Sequence, residues 1–348
     1  MNLNDKIIQL FENNRNSYIS IKYLSEKVNK SKKIIKENIK DLENKGYKFK
    51  KNIKGYCLDK TCNIISKPGI YLVLNNNINF DNFYIFDEID STNLFSKSLN
   101  ITENNYSLVI ANSQTNGRGR LGRTFYSPKD TGIYMSLSYK CKKDMINPIN
   151  ITSIASVAVC KAIEKLTGKT IGIKWVNDLF FNDRKICGIL TEGLSNSENG
   201  YIDSIIVGIG LNLSTNSFPE EISNIAGSLC DSTISKNEII GEIINNLDYY
   251  LNNFNNSDFL EIYKDRSIIL NKKINYYINN IKYSGLCVDI NNDGELLVLN
   301  DETKKIDILR TGEITVRINK EWDYSFFIFL ILLITKILIN IFIISGSI

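Results

Sequence analysis

Two stretches near the middle of the chain decide how the whole sequence is interpreted: residues 117–123 read GRGRLGR, and residues 174–190 read KWVNDLFFNDRKICGIL. The first formally matches the G-x-G-x-x-G pattern of dinucleotide-binding loops, which must be followed by a helix and then by a more distant acidic residue. TFYSP follows instead, at residues 124–128, and this segment is extended and then broken by proline. We therefore predict a flexible loop and reject a Rossmann fold.

The arginine-glycine loop is suited to bind anions. Arg118, Arg120 and Arg123 are separated by glycines, which let the backbone close around a ligand. A guanidinium group matches the oxygens of carboxylates and phosphates. An RNA-binding or merely flexible basic loop is the alternative that this segment leaves open.

The second stretch indicates adjacent strands of a hairpin that turns near residues 182–183, because apolar runs surround its polar motifs. Lys174 and Lys185 lie in otherwise buried patterns, where an unpaired ammonium group is costly. Beside Asn177 and Asp178 they predict an anionic ligand, and one with phosphate is the natural choice. An ion pair between Lys174 and Asp178 that holds the hairpin is the open alternative.

Other motifs flank these stretches. Residues 90–93, DSTN, follow an apolar strand at 83–86 and open a helix, where such side chains are most often caps. Gln114 follows a second predicted strand at 106–111. Residues 205–213, IIVGIGLNL, form a glycine-rich strand that lets a flat ligand approach the backbone.

The composition excludes several classes of site. The 348 residues contain no histidine, which removes Ser-His-Asp catalysis and histidine-zinc sites. The seven cysteines form no C-x-x-C pair, which argues against a zinc ribbon, and they are expected to be buried in a reducing cytosol. Residues 168–170 resemble the end of a P-loop, but Ile163 replaces its first glycine. The polar start of the chain predicts no signal peptide and a cytoplasmic protein.

The first 60 residues differ from the rest in charge. They hold 15 Lys or Arg and seven Asp or Glu, so the net charge of +4 leaves the remaining chain acidic. Helical spacing of apolar residues, with Ser20 and Ser31 as N-caps, predicts helices up to Gly46 and a short turn near residues 29–30. Residues 47–58 then alternate around a glycine, as in a β-wing.

This order predicts a DNA-binding helix-turn-helix with a wing. The lysines of the third helix are expected to enter the major groove and those of the wing to meet phosphates; they are Lys32, Lys33, Lys36, Lys40, Lys50, Lys51 and Lys54. A solvated lysine-rich face on a small helical domain is the alternative.

Taken together, these motifs resemble the biotin protein ligase family, and specifically its bifunctional members that also repress the biotin operon. The resemblance runs through residues 90–93, Gln114, 117–123, 174–179, 184–190 and GxGxN at 208–212. It implies an α+β protein made of a winged helix-turn-helix, a linker, a class II synthetase-like mixed-sheet catalytic domain, an SH3-like β-barrel and a hydrophobic tail. The expected ranges are 1–62, 63–82, 83–266, 267–318 and 319–348.

The resemblance also implies a role for each site residue. Ser91, Thr92, Asn93 and Gln114 are expected to bind the biotin head group, and Arg118, Gly119 and Arg120 to form the loop that closes over it. Lys185 is expected to bind the biotin carboxylate and the phosphoryl group. Asp178 is expected near the acceptor lysine, where it would orient or deprotonate the amine. The expected nucleotide-binding residues are Arg120, Arg123, Lys174, Asn177 and Asn212.

The implied reaction converts biotin and ATP, with Mg²⁺, into biotinyl-5′-adenylate and pyrophosphate, and then biotinylates a lysine of a biotin carboxyl carrier protein. No metal-binding residue of the protein is predicted. Operator DNA and a second copy of the chain are the other expected partners. Two departures, Val176 in place of proline and Phe125 in place of tryptophan, are expected to change packing without loss of the reaction. A lipoate or octanoate ligase, and a ligand-sensing transcription factor without ligase activity, are the alternatives.

The end of the chain is strongly apolar. Residues 326–344 include three polar residues, Thr335, Lys336 and Asn340, and have the length of a spanning helix. Each apolar residue favours insertion by about 0.3 to 0.6 kcal/mol, which outweighs about 3 kcal/mol for a central lysine. A C-terminal membrane anchor is therefore one expectation. An apolar appendage, or a sequence altered by readthrough or frameshift, is the other.

Overall fold

The computed structural model describes residues 2–103, 105–140, 147–195, 202–231, 233–256, 258–278, 281–310 and 316–318. The N-terminal unit consists of α1 (Leu3–Glu12), α2 (Ile21–Val28), α3 (Lys32–Asn44) and a hairpin of β1 (Phe49–Asn52) and β2 (Gly55–Leu58). Ser20 and Ser31 cap α2 and α3, as predicted, by accepting hydrogen bonds from backbone N–H groups of the first turn. Asn29 ends α2 in the left-handed conformation.

An apolar stripe on each of these helices builds a separate small core. Its buried members include Ile7, Phe11, Leu24, Ile35 and Ile39. The core leaves the lysines of α3 on the opposite, exposed face. The predicted order of helices and hairpin is therefore present in the structure.

The stretch expected to link the N-terminal unit to the body contains a short helix. Lys67, Pro68 and Gly69, which look like a loop in the sequence, begin the short helix α4 (Lys67–Tyr71). Ser66 caps this helix, and proline is tolerated there because the first turn leaves backbone N–H groups without intrahelical partners. Helix α4 packs against α1 and the long helix α8 (Lys236–Asn252) and so joins the N-terminal unit to the body.

A mixed sheet forms the centre of the molecule. Its strands are β3 (Phe80–Ile89), β4 (Tyr106–Gln114), β5 (Gly132–Lys140), β6 (Gly172–Lys174), β7 (Asp178–Phe181), β8 (Arg184–Ser195) and β9 (Ile202–Asn212). Within the described residues their order is β3-β4-β5-β9-β8-β7-β6, with β3 parallel to β4 and the other neighbours antiparallel. The remaining helices of this part are α5 (Thr92–Ser96), α6 (Pro148–Thr167), α7 (Glu220–Ser223) and α9 (Phe259–Asp265).

The strands β7 and β8 form the predicted hairpin. Asn182 and Asp183 occupy its turn with positive φ angles of 49° and 58°, which asparagine and aspartate tolerate better than most residues. The KWVNDL motif, however, is not part of one strand. Strand β6 ends at Lys174, and residues 175–177 turn the chain into β7.

The C-terminal unit is an antiparallel sheet of β10 (Lys273–Ile278), β11 (Ile281–Ile290), β12 (Leu296–Asn300), β13 (Ile306–Leu309) and β14 (Val316–Ile318). In the part of the chain that is described, their order is β13-β12-β11-β10-β14. Asp293 and Gly294 lie in the turn between β11 and β12. The indole Nε1 of Trp175 donates a 2.9 Å hydrogen bond to the Gly294 carbonyl and ties this sheet to the central one.

No helix among the described residues is long and apolar enough to cross a membrane. The apolar segment 326–344 lies outside those residues. Of the described cysteines, Cys57, Cys62, Cys160, Cys187 and Cys287 are buried as expected. Cys230 is exposed, which corrects the expectation for that residue, and Cys141 lies outside the described ranges.

Candidate active site

A cavity of about 1030 Å³ lies over the central sheet, beneath the arginine-glycine loop. Strands β8 and β9 form its floor, and the β6–β7 turn forms one wall. It brings together every residue that was predicted to bind biotin or nucleotide. These residues are Ser91, Thr92, Asn93, Gln114, Arg118, Gly119, Arg120, Arg123, Lys174, Asn177, Asp178, Lys185 and Asn212.

One end of the cavity is a hydrogen-bonded network of buried polar groups. Ser91 caps α5, so Thr92 and Asn93 occupy the first helical turn and face the sheet. The Thr92 backbone N–H donates to Gln114 Oε1 at 2.9 Å. Ser136 Oγ lies 2.8 Å from Thr92 Oγ1 and donates to Asn93 Oδ1 at 2.6 Å. We call Thr92, Asn93, Gln114 and Ser136 the head-group network, after the ligand group that the sequence resemblance leads us to expect there.

Glycines let side chains lie directly on the sheet. A Cβ atom at Gly208 would collide with the Asn93 amide, and one at Gly210 would lie 2.5 Å from the Phe125 ring. Gly188, which pairs with Gly210, would meet the same ring at 3.2 Å. Because Gly208 and Gly210 are two residues apart, the Asn93 and Phe125 contacts follow one another about 7 Å apart along the strand.

The arginine-glycine loop crosses over the cavity in a compact form. Its ends are held by hydrogen bonds from Gly119 N to Arg123 O at 2.7 Å and from Phe125 N to Gly117 O at 2.8 Å. Between them a short 3-10 turn spans Arg120–Gly122, and no α-helix follows it before Pro128, a described stretch, as predicted. Arg118 and Arg123 are exposed, whereas Arg120 is half-buried.

Arg120 connects the loop to the β6–β7 turn. Its Nη1 donates to Asn177 Oδ1 at 3.3 Å, and the Asn177 amide in turn donates to the Ile189 carbonyl at 2.9 Å. Burial lowers the pKa of the Arg120 guanidinium, and the nearby Asp178 carboxylate opposes that shift. The loop therefore places a permanent cation close to Asp178.

Lys185 and Asp178 form an ion pair across the hairpin, with 2.6 Å between Nζ and Oδ1. The sequence alternative paired Asp178 with Lys174, and the backbone register does place those two residues opposite each other. Lys174 Nζ lies 6.0 Å from the centre of the Phe180 ring. The two lysines therefore lie on the strands on either side of β7, line the same cavity, and are both half-buried.

Asn212 lies at the far end of β9 and is buried. Its Nδ2 donates to the Gly227 carbonyl at 3.0 Å. Its Oδ1 is buried without a hydrogen-bond partner among the described residues. A buried acceptor without a hydrogen bond costs free energy, so a ligand donor that reaches Asn212 Oδ1 would form a favourable hydrogen bond.

Sequence reasoning missed an apolar rim at the mouth of the cavity, formed by Leu121, Tyr126, Phe218, Ile222 and Ile225. Tyr126 and Phe218 pack edge to face, with 6.2 Å between ring centres. Ile225 is 58% exposed, which is unusual for an isoleucine beside a cavity. Most of the rim belongs to the segment 213–226, which contains α7 and whose sequence signal is apolar residues within polar surroundings.

The predicted DNA-binding lysines lie apart from the cavity, in the N-terminal unit. Lys32, Lys33, Lys36 and Lys40 are exposed on α3, and Lys54 is exposed in the β1–β2 turn. Two of the hairpin lysines make contacts within the unit: Lys50 pairs with Asp59 at 3.2 Å, and Lys51 lies over the Tyr56 ring. No group of three or more His, Cys, Asp or Glu that could hold a metal ion occurs in the described part of the chain.

Comparison with known proteins identifies relatives of the chain. A family model for the biotin/lipoate A/B protein ligase family matches residues 85–212. The bifunctional ligase/repressor BirA of Bacillus subtilis (strain 168) is 32% identical over 245 residues, which cover 69% of this chain and 75% of that protein. BirA of Escherichia coli (strain K12) is 25% identical over 319 residues, which cover 90% of this chain and 96% of that protein.

A solved structure shares the fold of this chain. Biotin protein ligase from Aquifex aeolicus in complex with biotin and ATP aligns with a TM-score of 0.59 at 28% identity, covering 69% of this chain and 100% of that one. The matched family model spans the strands and motifs that surround the cavity. Together with the identity to the Bacillus protein over most of its length, this shows that the chain belongs to the biotin/lipoate A/B protein ligase family.

Proposed function

We propose that the chain is a biotin protein ligase that activates biotin with ATP, transfers it to a lysine of a biotin carboxyl carrier protein and represses transcription through its N-terminal unit. The observation that carries the catalytic part is the single cavity that joins the head-group network to Lys185, Arg120 and Lys174. Relatives named bifunctional ligase/repressor support both activities.

The head-group network favours biotin over lipoate or octanoate. Asn93 Oδ1, Thr92 Oγ1 and Gln114 Oε1 offer acceptor oxygens at one buried end. A cyclic urea such as the biotin head group carries N–H donors that these oxygens can accept. An aliphatic chain or a dithiolane carries none, so it would add no hydrogen bond to the second lone pair of any of these oxygens.

The cationic end of the cavity suits adenylation. The biotin carboxylate oxygen would attack the α-phosphorus of ATP, forming the acyl phosphate bond as the bond to pyrophosphate breaks. Lys185 and Arg120 would neutralise the negative charge that the two anions bring together, and Lys174 would contact the phosphates. In this proposal the biotin carboxylate replaces Asp178 as the partner of the Lys185 ammonium group, so the Lys185–Asp178 ion pair breaks when biotin binds.

The remaining parts of the cavity suit the nucleotide. Asn212 Oδ1 would accept a hydrogen bond from the exocyclic amine of adenine, while the apolar rim covers the base. Magnesium would enter with ATP, since Mg²⁺ is usually held by one or two carboxylates together with substrate phosphates. Asp178 and Asp183 line the cavity and would supply these carboxylates.

The second step would transfer the acyl group to an amine. The acceptor lysine would attack the acyl carbon, AMP would leave, and the amine would lose a proton. Asp178, released from Lys185, would be placed to orient that amine or accept its proton. The loop of Arg118 and Gly119 would hold the adenylate in place until the carrier protein arrives.

The terminal units have separate proposed roles. The three helices and the hairpin of residues 1–62 would form a winged helix-turn-helix, with Lys32, Lys33, Lys36, Lys40, Lys50, Lys51 and Lys54 facing DNA. Residues 63–82 would connect it to a catalytic domain at 83–266. Residues 267–318 would form an SH3-like barrel that supports the site or the carrier protein. A homodimer would present two such helices to operator DNA.

An ATP-dependent biotinylation assay tests the catalytic proposal. Wild-type protein, biotin, ATP, Mg²⁺ and an isolated carrier domain should yield a biotinylated lysine and AMP. Lys185→Ala should mainly slow adenylate formation, whereas Arg118→Ala should release the adenylate into solution. If wild type forms no adenylate with biotin but forms one with lipoate or octanoate, the lipoate alternative is correct. If no acid is activated while DNA still binds, the chain is a sensor without ligase activity.

A further inference from the structure

Glu192 on β8 lies behind the head-group network and does not line the cavity. Its Oε2 accepts a 2.9 Å hydrogen bond from Asn93 Nδ2, and its Oε1 forms a 2.8 Å ion pair with Lys97 on the protein surface. The side chain is 26% exposed. Glu192 is therefore the link between a surface lysine and a buried amide of the proposed biotin site.

A carboxylate fixes which way the Asn93 amide points. A carboxylate paired with a lysine has only acceptor oxygens, so Glu192 binds the NH₂ side of the amide. The Leu190 carbonyl, another obligatory acceptor, takes a second hydrogen bond from the same Nδ2 at 3.3 Å. Both contacts leave Asn93 Oδ1 turned toward Ser136 and the glycine floor at Gly208.

The orientation of the Asn93 amide affects the hydrogen bonds of the Ser136 and Thr92 hydroxyl groups. Ser136 Oγ is within donating distance of both Asn93 Oδ1, at 2.6 Å, and Thr92 Oγ1, at 2.8 Å, and the Thr92 hydroxyl in turn donates to Gln114 Oε1 at 3.2 Å. Gln114 Nε2 donates to Ser127 Oγ at 2.9 Å, which keeps Gln114 Oε1 turned toward Thr92. The orientations of both amides are thereby fixed, with Asn93 Oδ1 and Gln114 Oε1 as the acceptor atoms of a network that lines the cavity.

We propose that Glu192 is a positioning residue that gives the head-group network its acceptor character, and that it thereby selects carboxylic acids whose far end carries N–H donors. This inference rests on the proposed biotin ligase function. Glu192 itself touches no substrate. It acts through Asn93, in the same way that outer residues orient the ligands of a metal or a substrate.

A charge swap separates this role from a merely structural one. In the double variant Lys97→Glu, Glu192→Lys, the ion pair and the net charge are kept, but residue 192 presents donors to Asn93. The Asn93 amide then has to turn its oxygen toward residue 192 and its NH₂ group toward Ser136. A structural ion pair would tolerate the swap, whereas a positioning carboxylate would not.

The measurements are the dissociation constants of biotin and of ATP by titration calorimetry, together with the melting temperature. We expect biotin to bind about tenfold or more weakly to the double variant, because a buried acceptor is replaced by a donor that opposes the ligand N–H. ATP affinity and the melting temperature should stay near wild type. The single variant Lys97→Met keeps the carboxylate and should bind biotin within about twofold of wild type.

The matched control is the same swap at Lys165 and Glu242, a 2.7 Å ion pair between α6 and α8 that lies away from the cavity. It should leave both affinities unchanged. Equal biotin affinity in wild type and in the Lys97–Glu192 swap would overturn the positioning role while leaving the ligase proposal intact. Absence of biotin binding by wild type would instead remove the proposed function on which this inference depends.

Discussion

At the scale of single residues, the hydrogen bonds of Asn212 lead to a prediction about nucleotide preference. Its amide nitrogen is already used by the Gly227 carbonyl, so its oxygen cannot be exchanged for the nitrogen without loss of that bond. The oxygen is therefore a fixed acceptor in the cavity. Adenine has an amine donor that matches it, whereas hypoxanthine has a carbonyl oxygen at the same position, which would repel it.

We predict that Asn212→Ala lowers the preference for ATP over ITP. The expected loss is about tenfold in the ratio of the two kcat/KM values for adenylate formation, as for one hydrogen bond to a buried group. Asn245→Ala is the control, because Asn245 also donates to a backbone carbonyl, that of Val73, but is not part of the cavity lining. An unchanged ATP to ITP ratio in Asn212→Ala would contradict the assignment.

Gly210 provides a test of the glycine floor. A methyl group at this position would lie 2.5 Å from the Phe125 ring, so Gly210→Ala has to displace this ring, which lines the proposed biotin site. We predict a fall of roughly tenfold or more in kcat/KM for biotin, because small misplacements in a site are costly for catalysis. The KM for ATP should change little.

The control for this substitution is Gly193→Ala on the neighbouring part of β8. A Cβ there would meet Ile202 side-chain atoms at 3.1 to 3.4 Å, and the flexible end of that side chain can move. Kinetics of both variants should be measured with biotin and ATP varied separately. A normal KM and kcat for biotin in Gly210→Ala would mean that the acyl chain does not cross this floor.

At the scale of elements, the hairpin of β1 and β2 carries a prediction about DNA. Lys51 and Lys54 lie on or beside its turn and are exposed. If each neutralises one phosphate, Lys51→Ala, Lys54→Ala should reduce the slope of log K against log salt by about 0.9 for each contact. Fluorescence anisotropy with a random-sequence duplex at several salt concentrations measures that slope.

The control for the DNA experiment is Lys273→Ala, since Lys273 is equally exposed but lies at the start of β10 in the C-terminal unit. Its substitution should leave the slope unchanged. A hairpin variant with the slope of wild type would show that the wing does not contact the DNA backbone, and the lysines of α3 would then have to supply the binding.

Elements with local chemical signals were predictable from the sequence, and those that depend on tertiary contacts were not. The caps Ser20 and Ser31 and the turn at residues 182–183 act within a few residues, so the sequence places them correctly. Helix α4 contains proline and glycine and looks like a loop, and it forms where α1 and α8 pack around it. The break between β6 and β7 has no local signal of its own.

The same distinction holds for the site. A buried cation requires a partner, so the sequence alone predicts Lys174, Lys185 and the loop arginines as ligand-binding residues of the cavity. The remaining site residues were expected there from the family resemblance; they are Ser91, Thr92, Asn93, Gln114, Gly119 and Asn212. The apolar rim has no such requirement and was missed. The partner of Asp178 was also open, since Lys174 and Lys185 both lie on strands that adjoin β7, and only side-chain geometry distinguishes them.

At the scale of the whole molecule, a buried amide makes several of the hydrogen bonds at the junction between the N-terminal unit and the catalytic body. Asn237, in the first turn of α8, accepts a 2.9 Å hydrogen bond from Ser66 N. Its Nδ2 donates to the Ile64 carbonyl at 3.1 Å and lies 3.5 Å from a carboxylate oxygen of Glu12 on α1. The next residue toward the N-terminus, Lys236, fixes the neighbouring Asn63 through its backbone N–H. These contacts suggest that the two units unfold together.

We predict that Asn237→Ala separates their unfolding. The substitution leaves Ser66 N and the Ile64 carbonyl without their buried partner, which should cost about 1 to 3 kcal/mol at the junction. Differential scanning calorimetry should then show a small transition of residues 1–62 below the main one, where wild type shows one transition. Asn253→Ala, at the exposed end of the same helix, should keep the single transition. If both variants melt like wild type, Asn237 does not couple the units and packing of α1 on α4 alone must do so.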